Sequence, residues 1–235
     1  MILEGCSNAG FSLTEVRQQQ IVELYDAINM MPDRFKSYKS IQDDIYGLSK
    51  TLDDSKVRML MPFLRKMGYV RNDNFEQRNA LLSLDELFTL EGKCFIEYLR
   101  LKNKIGALEI DNVEQNIQRV DQWFSVISLI NLISNGEEIY ADCIRFLKKY
   151  QTMCEVEFFL MTTAKAQLTK ENFEEKLEEY IGSYRQGTLG QVHISKHQNA
   201  YGYIKRFLIE TGMVKQFDNT LKLNTQYEYI YNKII

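Results

Sequence analysis

The chain has 235 residues, of which 45% are hydrophobic and 26% charged, with 12 glycines and only 2 prolines. That composition supplies ample apolar core and favours a helical chain with few long loops over a sandwich or a disordered tail. The formal net charge of −3 excludes a uniformly basic nucleic-acid coat, yet charge is uneven: Ile105 to Gly182 hold 7 basic and 14 acidic side chains, whereas Ser183 to Ile235 hold 7 basic and 3 acidic. A local excess of cations inside an acidic total leaves a phosphate-binding face open.

Cys6, Cys94, Cys143 and Cys154 lack any C-x-x-C spacing. This predicts neither a zinc ribbon nor a disulfide framework and suits a reducing, cytoplasmic setting. The most apolar window, WFSVISLINLI from Trp123, falls far short of the roughly twenty residues a membrane span requires. A soluble protein with no membrane partner is expected. The first residues, MILEGCSNAGFSLTE, lack the basic start and long apolar run of a signal peptide.

In chain order, Val16, Ile21, Leu24, Tyr25 and Ile28 recur at helical spacing from Ser12 to Met30, with Gln18, Gln19 and Gln20 mostly off that face, and Met31-Pro32 stops the run. A second helix is predicted over 40–48, placing Ile41, Ile45 and Leu48 together. Asp53 or Asp54 then caps a third helix over 54–67 that buries Val57, Leu60, Met61 and Leu64 and closes at Gly68 in the left-handed conformation. YVRND and LFTL read as two short strands separated by a polar stretch, and TLEGKCFIEYLRL as the next helix. Three helices followed by a two-stranded ribbon is the order of a winged helix-turn-helix.

Further helices are predicted over 113–133, over 137–150, in CEVEFFLMTTA and in TKENFEEKLEEYIGSYR, the last with Phe173, Leu177, Tyr180 and Ile181 on one side. A final one, from Lys196 to Thr211, buries Ala200, Ile204, Phe207 and Leu208 and ends at Gly212. PFLRKMGYVR and RFLIETGMVK share the order aromatic, Leu, three helical residues, Gly, apolar, Val, basic. This internal repeat predicts a mainly α fold with small β-wings: two tandem winged helix-turn-helix subdomains joined by a helical segment. The first occupies 1–108, and the linking helix with the second occupies 109–235.

A winged helix lays its third helix in the major groove, where the first turns meet base edges while the wing and flanking cations hold phosphates. The first such helix offers Ser55, Lys56, Arg58 and Met59 near its start and Arg65 and Lys66 near its end; the second offers Lys196, His197, Gln198 and Asn199, then Lys205 and Arg206. Arg pairs with guanine, and Gln or Asn with adenine, so these are the side-chain types direct readout uses. Polar residues also line most solvated helix faces, which is the plainer reading of each alone. Wing residues Arg71, Asn72, Asn74 and Arg78 suit phosphate or minor-groove contact, or simply a solvated hairpin.

Catalytic signals are weak. Asp85 with Glu91 and Lys93 fits, in letters, the acid and acid-x-Lys pattern of a metal-dependent nuclease, but Glu91 also stands where a helix's first turn favours an acid. His193 and His197 are four apart, yet Gly187, Gly190 and Ser195 argue for a loop there, so solvated or phosphate-contacting histidines are favoured over a metal pair. Neither a metal site nor a catalytic site is expected in this chain.

The succession KVRMLMPFLRKMGYVRNDN with LFTLEGKCFIEYL, then IRFLKKYQTMCEVEFFLMTTA, FEEKLEEYIGSYR and NAYGYIKRFLIETGMVKQFDNTLKLN, resembles the DNA-recognition region of type IIS and nicking restriction endonucleases from about Lys56 to Asn224. The resemblance implies sequence-specific binding of double-stranded DNA, at an asymmetric site, by two winged-helix subdomains, with Mg2+-dependent cleavage left to a separate nuclease domain or subunit. It implies DNA contact by both recognition helices, the wing and the loop of Tyr184, Arg185 and Gln186, and carries over no catalytic residue. Family members continue into a cleavage domain where this sequence stops at Ile235. A winged-helix transcriptional regulator and a protein-interaction scaffold are the alternative expectations.

Overall fold

The structure is a computed structural model that describes residues 1–7, 12–49, 51–71, 77, 80–105, 113–167 and 170–234. In chain order its elements are β1 (Ile2–Glu4), α1 (Glu15–Met30), β2 (Phe35–Ser37), α2 (Tyr38–Leu48), α3 (Asp54–Lys66), β3 (Leu81–Ser83), α4 (Leu90–Ile105), α5 (Val113–Ser134), α6 (Glu138–Tyr150), α7 (Glu155–Gln167), α8 (Lys170–Arg185), β4 (His193–Lys196), α9 (Ala200–Glu210), β5 (Val214–Phe217), β6 (Thr220–Leu223) and α10 (Glu228–Ile234). The chain is therefore mainly helical with small two-stranded β elements. Among the described residues, no helix is long and apolar enough to cross a membrane. Two compact units are present: a continuous one, Leu13–Gly136, and a split one, Met1–Ser12 with Glu137–Ile235. The division falls near residues 12 and 136 rather than between 108 and 109.

In the continuous unit, Thr14 caps α1 by accepting from the Arg17 backbone N–H, and Asp53 caps α3 by accepting from that of Lys56 at 2.8 Å. The core gathers Ile21, Leu24 and Ile28 of α1, Ile41 and Ile45 of α2, Val57, Leu60, Met61 and Leu64 of α3, and Phe95, Ile96 and Leu99 of α4. Two residues reverse the expected face of α1: Val16 is 62% exposed and Gln20 is buried. Gln20 meets the cost of burial by accepting from the Arg17 guanidinium at 2.8 Å. Leu48, expected inside α2's face, is likewise exposed.

Gly68 ends α3 at φ +80, its N–H bonded to the Arg65 carbonyl and that of Tyr69 to the Leu64 carbonyl. Among the described residues the chain then pairs only through an isolated bridge, Val70 with Phe88, where two short strands, YVRND and LFTL, are expected from the sequence, and Leu90 already begins α4. What the sequence pattern did not indicate is that β2, between the first two helices, pairs antiparallel with β3.

The split unit repeats this plan with an insertion. After α6, Met153 forms an antiparallel bridge with Leu221 of β6, so the extended residue following the first helix again meets the returning strand. α7 follows, then the inserted α8 and β4, then α9, which Gly212 closes at φ +67. β5 and β6 pair antiparallel, Val214 opposite Leu223 and Phe217 opposite Thr220. β1, from the chain's first residues, pairs parallel with β4. The core here holds Tyr140, Ile144 and Leu147 of α6, Phe158, Phe159 and Met161 of α7, and Ile204, Phe207 and Leu208 of α9.

One correspondence between the units reaches single atoms. Thr89 donates its backbone N–H to the Tyr69 carbonyl and its hydroxyl to the Gly68 carbonyl at 2.8 Å, while accepting from the Gly92 N–H at the start of α4. Asn224 donates its backbone N–H to the Met213 carbonyl and its amide to the Gly212 carbonyl at 2.9 Å, while accepting from the Gln226 N–H of the next turn. In each unit one side chain thus satisfies the orphan carbonyl beyond the third helix and caps the helical turn that leaves the ribbon.

Candidate nucleic-acid interface

On α3, Ser55 and Arg58 are exposed and three residues apart, hence on one face near the helix start. The basic groups there are engaged with neighbours. The Lys56 ammonium lies 3.0 Å from Asp53, and Arg58 lies 3.2 Å from Asp54. The Asp53 carboxyl is held below the usual carboxylate range, first by the Lys56 backbone N–H it caps and then by the Lys56 ammonium. Pairs this exposed stabilise only weakly, because water screens them. Arg71 follows the bridge, half exposed, 3.2 Å from Glu86. Asn72, Asn74 and Arg78 lie outside the described residues.

The start of the second candidate helix differs from expectation. Lys196 is the last residue of β4, not the first of a helix, and α9 begins at Ala200. His197 turns the chain at φ +51, and the Gly5 N–H donates to the Lys196 carbonyl at 3.0 Å. A Cβ on Gly5 would stand 2.5 Å from the His197 carbonyl oxygen, so the N-terminal strand packs directly under this turn. The helical spacing around 196–199 does not become helix because the pairing that extends β4 comes from residues 2–4, far away in sequence. Gln198 donates to the Ile194 carbonyl, and Lys196 lies 3.1 Å from Glu4.

Asn199, Tyr203 and Arg206 form the outward stripe of this region at i, i+4, i+7 spacing, all exposed. Tyr203 was missed by sequence reasoning, although that spacing was readable. Arg206 lies 3.3 Å from Glu210, and the Lys205 ammonium stands over the Tyr201 ring, 5.4 Å from its centre.

Arg185 is occupied by a different task. Its guanidinium bonds the carboxylate of Glu157, a residue 3% exposed, at 2.6 Å, together with the Tyr150 and Thr152 carbonyls. Glu157 also accepts from the Cys154 N–H at the start of α7. Arg185 thereby fastens the end of α8 to the link between α6 and α7.

The letters that suggested a nuclease have a packing explanation. A Cβ on Gly92 would lie 2.1 Å from the Tyr69 carbonyl oxygen, so glycine lets α4 approach the ribbon. Asp85 is bound by the Arg34 guanidinium, which keeps its carboxyl below the usual range, and Lys93 donates to the Asp85 backbone carbonyl. His193 sits on β4 and His197 in the turn beyond it, so no helix face joins them. Among the described residues, no three His, Cys, Asp or Glu gather as they would around a metal ion. Each unit taken by itself offers cations near a helix start, with amides and an aromatic ring added at α9. No protein-family model matches the chain, and no match was found among curated proteins or solved structures.

Proposed function

We propose that the chain reads a short, asymmetric sequence in double-stranded DNA through two winged-helix units, as the recognition part of a type IIS-like restriction endonuclease. Cleavage, with Mg2+, then belongs to a separate domain or subunit. The observation that carries this reading is the repeated plan: a first helix, an extended segment pairing with the returning strand, a third helix closed by a left-handed glycine, and a returning strand that meets the residues after that glycine, through an isolated bridge in the continuous unit and as a two-stranded ribbon in the split one. A winged helix needs these parts in this order, and Thr89 and Asn224 tie the returning strand to the glycine carbonyl after the third helix in both units. Two non-identical reading helices suit an asymmetric site, since a palindrome calls for identical halves.

The test is selection of bound duplexes from a randomised pool at about 150 mM salt. Enrichment of one asymmetric motif is expected, and Arg58→Ala or Asn199→Ala should each cost about 1–3 kcal/mol and relax one base position. Binding that enriches nothing and disappears as salt rises would sink the proposal.

One observation favours a second reading, a protein-interaction scaffold. Val120, Trp123, Ile127 and Ile130 of α5 form an exposed apolar stripe at 3-4-3 spacing, with Trp123 68% exposed. Under that reading no duplex is selected, and association with a protein partner is lost on Trp123→Ala.

A further inference from the structure

The β5–β6 ribbon has two dissimilar faces. Residues opposite each other in an antiparallel pair share a face, so Val214, Gln216, Leu221 and Leu223 point one way and Lys215, Phe217, Thr220 and Lys222 the other. Val214 and Leu221 are buried, whereas Lys215, Phe217 and Lys222 are exposed. Solvation alone explains this outer face poorly. Lys215 stands directly across from Lys222, a like-charge pair that destabilises a ribbon, and neither makes an ion pair among the described residues. Phe217, at the end of its strand beside the turn, leaves 51% of its surface in water. The Lys222 ammonium sits 5.3 Å from its ring centre, which steadies the ring from one side and leaves the rest uncovered.

Two unneutralised cations beside a propped, projecting aromatic ring match a ligand that alternates negative charge with flat apolar surface. Nucleic acid has that chemistry, with phosphates along its edge and stacked bases between. Resting on the DNA-reading proposal above, we propose that Phe217 is a wedge that enters between two stacked base pairs of the bound duplex, while Lys215 and Lys222 hold phosphates beside the opened step. The ribbon would then read DNA by how easily a step unstacks, which favours flexible pyrimidine–purine steps.

The experiment uses the full chain and its selected duplex carrying 2-aminopurine, whose fluorescence rises on unstacking, at successive positions. A rise at one step is expected, together with bending reported by dyes at the duplex ends. Phe217→Ala should abolish both signals and weaken binding about 5- to 100-fold while keeping the selected motif elsewhere. Phe217→Leu, which keeps an apolar wedge, should retain much of the bend. Lys215→Ala and Lys222→Ala should each lower the salt slope of binding by about one. Because Phe217 is exposed, circular dichroism of Phe217→Ala should match the parent.

If the parent binds its motif but Phe217→Ala leaves fluorescence and bending unchanged, the wedge is overturned and the DNA reading stands. If the parent binds no duplex, both fall. If Phe217→Ala weakens only single-stranded DNA, the ribbon is a stacking platform and the wedge is again overturned.

Discussion

At the residue scale, Arg185 shows how a side chain suited to phosphate serves the fold instead. Its partner Glu157 is buried and also accepts from the Cys154 N–H, so removing the guanidinium leaves a buried carboxylate without its ion-pair partner. Arg185→Ala should destabilise the protein by about 2–4 kcal/mol in urea unfolding, near the range for breaking a buried pair. DNA affinity measured where the variant is still folded should match the parent; a loss of affinity with unchanged stability would return Arg185 to the interface. Asp53 gives a pH test. Its folded-state pKa is depressed, so the cap is fully effective above the ordinary aspartate value and fails as pH falls through the folded one. The stability advantage of the parent over Asp53→Ala should therefore shrink below about pH 4; a constant gap would show that the charge is irrelevant to the cap.

At the element scale, the approach of α4 to the residue after Gly68 depends on Gly92, and Gly92→Ala should cost about 2–3 kcal/mol as an overpacked contact. Thr89→Val keeps the shape but loses both hydrogen bonds, and about 1–2 kcal/mol is expected. Chemical denaturation of the two variants checks both values. The long helices were legible because ten or more residues repeat the helical period, so one misplaced residue such as Val16 does not hide the pattern. Gly68 and Gly212 were legible because only glycine adopts positive φ without strain. β1, β2, β3 and β4 were not, since three or four residues carry no measurable period and their partners lie far off in sequence. Lys196 falls in β4 rather than in a helix for the same reason. The candidate site was legible as side-chain types at the two helix starts, while the ion pairs to Asp53, Asp54 and Glu4 and the exposed face of β5–β6 depend on packing.

At the scale of the whole molecule, the split unit contains the chain's first and last portions. The Met1 ammonium donates to the Gln191 carbonyl at 2.6 Å, and the His193 N–H to the Met1 carbonyl. Removing residues 1–7 should raise amide exchange in β4 and at the start of α9 and leave α1, α2 and α3 as protected as before; uniform loss of protection would contradict the two-unit division. The same topology sets a timetable for biosynthesis. β1 is made well ahead of the strand it pairs with, which follows roughly 10–40 s later at about 5–20 residues per second. In that interval Leu3, wholly buried at the end, is uncovered, while the Leu13–Gly136 unit has all its sequence available to fold. Nascent chains stalled ahead of residue 190 should therefore hold one finished unit and one loose strand, and the turn that leads into the second candidate reading helix acquires its shape only when residues 2–4 meet residues made long after them.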